Sequence, residues 1–146
     1  MTPRRTLAAL ILLSAATAFA GTYAGIQPVG AFARVTGPKD SADGYRARLW
    51  RDGNRLLGEF TVLQSGEAQT GTFKDGTIDE KGKAVFAVPI DNPDNPSAKP
   101  LSIAVEAQVT ESKLDGLLWW QAERERHAED SAAEKISLPL DKSVTL

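Results

Sequence analysis

Leu-Ser-Ile-Ala-Val-Glu-Ala-Gln-Val-Thr, residues 101–110, is the stretch on which the fold class turns. Its odd positions, Leu101, Ile103, Val105, Ala107 and Val109, are all apolar, and four of its five even positions are polar. A helix starting at Leu101 needs an apolar residue at 108 and meets Gln108. Alternation with period 2 is the mark of a strand with one face buried.

The same period recurs on both sides. Tyr45 to Arg51 and Leu56 to Leu63 flank Arg51-Asp52-Gly53-Asn54. Tyr45, Ala47 and Leu49 share one face, and Leu56, Phe60 and Val62 share the facing one, as a hairpin over a core requires. Gln69 to Lys74, with Phe73 inward, and a brief Thr77-Ile78 predict further strands. Ala84 to Ile90 is apolar at every position, which predicts a strand covered on both faces or placed in mid-sheet, with Pro89 at its end or at a bulge. Lys113 to about Glu123, with Gly116 as a bulge or close-packing site, and Lys135 to Leu140 read as strands, Pro139 marking an edge. Thr22 to Ile26 and Ala31 to Val35 are shorter candidates.

The punctuation agrees. Asp-Gly occurs at 43–44, 52–53, 75–76 and 115–116, and Ser65-Gly66 and Lys81-Gly82 add two more turn candidates. Residues 91–100 hold three prolines and form a stiff connection between strands. Residues 121–134 are charged and lack an apolar stripe, so they read as a polar strand end and loop, with a short helix as the alternative. Eight or nine short antiparallel strands in sequential order predict an all-β domain over 21–146, either a small up-and-down barrel or a β-sandwich. In outline this resembles the exported calycin-type barrels, lipocalin-like or avidin-like. The resemblance is one of architecture and carries no functional residue with it.

Residues 1–20 stand apart. Arg4 and Arg5 precede an apolar run from Leu7 to Ala18, and Ala18-Phe19-Ala20 fits a cleavage site, the pattern of a bacterial export signal. The run is shorter than the roughly 20 residues of a membrane span. The mature chain then begins at Gly21 and is expected in the periplasm or outside the cell, without stable membrane insertion. No cysteine is present in the 146 residues, so a disulfide framework, a thiolate metal site, a thiol nucleophile and a thioether-linked lipid are all excluded. A net charge of −2 speaks against a nucleic-acid partner.

Catalytic patterns are weak. His127 is the one histidine; it sits among Arg124, Arg126, Glu129 and Asp130, and no Gly-x-Ser-x-Gly accompanies it. Asp79-Glu80, Glu129-Asp130 and the Glu123/Glu125 pair are the carboxylates that a hydrolase could use. Each falls on a predicted turn or solvated stretch, where charge keeps a surface wet. Asp91, Asn92, Asp94 and Asn95 offer oxygen atoms to a calcium ion, but the prolines between them break the usual ligand spacing and read as turn formers. The expectation is therefore a protein that is not an enzyme and holds neither metal nor cofactor.

The tryptophans carry the functional reading. Leu117-Leu118-Trp119-Trp120 puts neighbouring indoles on opposite faces of a strand. Trp120 shares parity with Leu114, Gly116 and Leu118, the better core face, which leaves Trp119 as a candidate for external contact. Trp50 lies on the Arg46–Arg48 face, opposite Tyr45 and Leu49, and is the second candidate. Two functions follow. The first is a non-catalytic binding protein holding a small apolar or amphipathic ligand in a barrel mouth or sheet groove. The alternative is a cell-envelope interaction module, an inhibitor or accessory subunit, that docks on another envelope protein through exposed aromatics.

Overall fold

Alternating apolar side chains commit most of this chain to strands that must share one inner face. A computed structural model describes residues 25–90, 101–120 and 133–146, and places eight antiparallel strands there in one sheet. They are β1 (Ile26–Thr36), β2 (Asp43–Asp52), β3 (Arg55–Gln64), β4 (Glu67–Ile78), β5 (Lys83–Ile90), β6 (Leu101–Val109), β7 (Lys113–Trp120) and β8 (Glu134–Pro139). Spatial order follows chain order, so the sheet is a meander. It curls until β8 nearly meets β1.

Closure is incomplete, and this shapes everything that follows. Phe32 and Leu140 form an isolated antiparallel bridge, and the Asp141 N–H donates to the Ala31 carbonyl at 2.8 Å. Beyond that point the seam is held by side chains: Arg34 Nε donates to the Ser137 carbonyl at 2.8 Å, and the Tyr45 hydroxyl to the Glu134 carboxylate at 2.9 Å. A backbone ladder gives way to two long side chains, so the seam widens toward one end of the barrel.

The interior is filled. Phe32, Leu49, Leu56, Phe60, Ile103, Val105, Leu114, Leu118 and Leu138 belong to a single buried cluster. Each fully buried side chain of this size contributes roughly 1.5–3 kcal/mol. Large and small residues alternate across the strands: Ala47 faces Phe60, which faces Gly71, while Ala84, Ala107, Gly116 and Ile136 form one cross-strand row. The aromatic rings pack through the centre, Phe60 tilted against Tyr45 at 5.7 Å and Phe86 stacked on Phe73 at 4.4 Å between centroids.

Several expectations are altered. The two short strands near the start are one, β1, with a bulge between Pro28 and Gly30; residues 22–24 lie outside the described residues. Gln69–Lys74 and Thr77-Ile78 are also one strand, because Asp75-Gly76 is no turn: Lys74 and Asp75 together face Leu57 across a bulge. Of the four Asp-Gly pairs only Asp52-Gly53 opens a hairpin, whereas Ser65-Gly66 makes another with both residues at positive φ. Gly116, by contrast, is the close-packing site expected of it: it sits in mid-strand, where a Cβ would run into the Glu106 carbonyl and Ala107.

The apolar run of β5 is covered on one face only. Its burial alternates strictly, with Ala84, Phe86, Val88 and Ile90 inward and Val85, Ala87 and Pro89 exposed. Apolar composition hid a period-2 pattern because the outward positions are small or imino residues. Pro89 is tolerated within the strand because β5 is laddered to β4 only at Thr77 and Ile78, which leaves no bond to lose on that side. β7 ends at Trp120. The expected continuation toward Glu123, the helix alternative over 121–134 except its last two residues, and the 91–100 connection all fall outside the described residues.

Candidate functional site

In a meander the strand ends alternate between two mouths. One mouth collects the ends of β1, β3, β5 and β7 and the starts of β2, β4, β6 and β8; the widened seam opens there. The opening is a cleft of about 320 Å³. β1 supplies Arg34 and Thr36, β2 Asp43 to Tyr45, β3 Val62 to Gln64, and β8 Glu134 to Leu138. Below it the apolar cluster closes the barrel, so the cleft has an oily floor and a polar rim.

Strand parity explains the rim. Arg34 and Tyr45 pair across β1 and β2 on the inner side, in line with Phe32 and Ala47. An inward arginine at the end of an apolar face has no partner within its own hairpin, and it reaches the free edge of β8. Tyr45 follows the same course. Its ring packs on the core while its hydroxyl meets both oxygens of Glu134 at 2.9 Å. Burial, reinforced by the hydrogen bond to Glu134 and its negative charge, pushes the phenol well above the ordinary tyrosine value.

That shift has a sign that can be tested. An unfolded tyrosine ionises near 10.0, whereas folded Tyr45 keeps its proton. Above that pH the unfolded state binds fewer protons than the native state, so the Tyr45 contribution, intact below pH 10, declines as pH rises. Tyr45→Phe should flatten this alkaline decline while costing about 1.5–3 kcal/mol at neutral pH, the value of one hydrogen bond to a charged group. Urea unfolding of both proteins, from neutral pH upward past the tyrosine range, measures both effects.

The tryptophans fall where parity put them, but not with the exposure expected. Trp120 is on the inner face opposite Ile103, packed against the core and partly exposed at the mouth. Trp119 is on the outer face opposite Ala104, yet only 5% of it is accessible. Parity decides the side of a sheet and says nothing of what covers that side. Trp119→Ala should therefore lower stability by about 3–5 kcal/mol, as a buried aromatic truncation does, and a thermal melt beside Trp120→Ala tests it. Trp50 is half-buried on the outer face between Pro28 and Leu57.

The remaining candidates divide in two. Asp79 accepts from the backbone N–H groups of Lys81 and Lys83, each at 2.9 Å, and these bonds hold its carboxyl below the usual range. It is engaged in closing a turn beside Glu80. His127, Glu123, Glu125, Glu129 and Asp130 lie outside the described residues, as do Asp91, Asn92, Asp94 and Asn95. Among the described residues no three histidine, aspartate or glutamate side chains converge on a common point for a metal ion.

Arg34, Tyr45 and Glu134 were not singled out from sequence. One signal was available: Arg34 shares parity with Phe32, a charge continuing an apolar face. The Tyr45–Glu134 contact had none, because it spans 89 positions and exists only once the sheet curls.

Comparison of the chain with protein-family models, with curated proteins and with solved structures found no match.

Proposed function

We propose that this chain is an exported, non-catalytic binding protein that takes a small amphipathic ligand at the mouth where the β1–β8 seam widens. The observation that carries this reading is the cleft itself, with an apolar floor and a rim of Arg34, Tyr45 and Glu134. A filled barrel leaves no room for a ligand at its centre, so the mouth is where apolar surface and fixed polar groups converge, the usual anatomy of a small-molecule site. Export rests on the Arg4-Arg5, Leu7–Ala18 and Ala18-Phe19-Ala20 pattern. Docking on an envelope protein through exposed aromatics is the weaker reading, since burial of Trp119 removes one of its two anchors and leaves Trp50.

Native mass spectrometry of the protein isolated from its own cells tests this reading. A chain beginning at Gly21 with a few hundred extra daltons supports it (an order-of-magnitude mass for a ligand that fits such a cleft). A stable complex with a second polypeptide would replace it with the docking function, and an intact Met1 would remove the export half.

A further inference from the structure

The residues lining the mouth cleft include two cations and two carboxylates, Arg34 and Lys135, Asp43 and Glu134, of which Lys135 has the outer parity of Ser137 and the other three the inner. Arg34 and Glu134 brace the seam through the Ser137 carbonyl and the Tyr45 hydroxyl, and opposite charges on one rim could also have paired with one another. Yet no ion pair among the described residues joins any two of the four. Neutral donors fix the carboxylates instead: Glu134 receives the Tyr45 hydroxyl, and Asp43 receives the Ser65 N–H at 3.0 Å. Arg34 is fixed through Nε alone, which leaves both terminal nitrogens unengaged among the described residues. Asp115 feels its charge, but Asp115 is already held by Lys113 and Ser137.

A guanidinium anchored at Nε offers its terminal N–H groups to a carboxylate or phosphate. A carboxylate fixed by a phenol keeps lone pairs for an ammonium group. Resting on the reading of the mouth as a binding site, we propose that the cleft selects a zwitterion. Its anionic group meets Arg34, its ammonium meets Glu134, and an apolar arm lies on Val62 and Ile136. A ligand with one charge would desolvate the opposite group on the rim without pairing it, and that penalty is the source of selectivity.

Titration calorimetry of the purified mature protein tests this with four probes: L-leucine, leucinamide, isocaproate and dihexanoylphosphatidylethanolamine. A zwitterion is expected to bind at least about tenfold tighter than either singly charged analogue, a difference of about 1.4 kcal/mol. Preference for leucine identifies a free amino acid as the source, and preference for the lipid identifies a headgroup. Arg34→Gln should reduce the zwitterion to the level of leucinamide, Arg34→Lys should retain part of the preference, and Glu134→Gln should reduce it to the level of isocaproate. Equal binding of a singly charged analogue overturns the proposal, as does an equal loss for every probe in the variants. Should a variant fail to fold, the four probes on the unmutated chain still decide. Octyl glucoside, amphipathic and uncharged, separates the two levels of the argument: if it alone binds, zwitterion selection fails and the binding function stands, whereas if nothing binds, both fail.

Discussion

Phe60→Ala is expected to cost about 3–5 kcal/mol, a loss as large as that of Trp119→Ala. Phe60 is completely buried, and its ring lies between Tyr45 at 5.7 Å and Phe86 at 6.0 Å. Removing it loses apolar transfer energy and leaves a cavity lined by Ala47 and Gly71, its cross-strand neighbours, which have no side-chain length with which to fill it. For a domain whose net stability is roughly 5–15 kcal/mol, that is a large fraction. The variant should melt roughly 10–20 °C below the unmodified protein. It should also loosen the floor under Tyr45, so the ligand binding proposed for the mouth should weaken with stability.

Gly116→Val should cost about 3 kcal/mol or more, and for a different reason. Gly116 sits in the row Ala84, Ala107, Gly116, Ile136, where small residues let β6 and β7 approach. A Cβ there would meet the Glu106 carbonyl and the Ala107 backbone. Backbone cannot rotate away as a side-chain tip can, so the ladder must shift, and overpacking of this kind typically costs about 1–3 kcal/mol before the extra methyls are counted. Gly53→Ala is the control. Gly53 adopts φ 62°, but a Cβ there would meet nothing within 4 Å, so only the left-handed strain of about 1–2 kcal/mol applies. Denaturant unfolding of the two variants separates collision from conformational strain; similar losses would mean that the β6–β7 spacing is softer than the row implies.

Local alternation made much of the architecture legible. Residues 102–109 and the Tyr45–Leu63 hairpin have the faces that period 2 assigns them, and the meander pairs each strand with the next in the chain. Misreadings cluster where composition stood in for geometry. Asp75-Gly76 has turn chemistry but serves as a bulge, because the strand on either side of it continues to pair with β3. Of the two expectations for Ala84–Ile90, placement in mid-sheet holds, whereas cover on both faces does not, because Val85, Ala87 and Pro89 are apolar but face outward. Trp119 lies on the outer face that parity assigns it and is nonetheless buried there, which parity alone does not report. The cleft was hidden for a stronger reason. It is made by closure of the sheet, which brings β1 and β2 against β8 across about a hundred positions of chain, and no local period reports that event.

The reading that a ligand is taken at the mouth can be tested most directly by pairing two native mass spectra. The unmodified protein and Thr36→Trp, both expressed in the source cells, would be compared. Thr36 is an exposed residue of the cleft wall, so an indole there fills the opening without entering the core. The account predicts extra small-molecule mass on the unmodified chain and a bare, folded Thr36→Trp. Equal extra mass on both would place the ligand elsewhere and contradict the account.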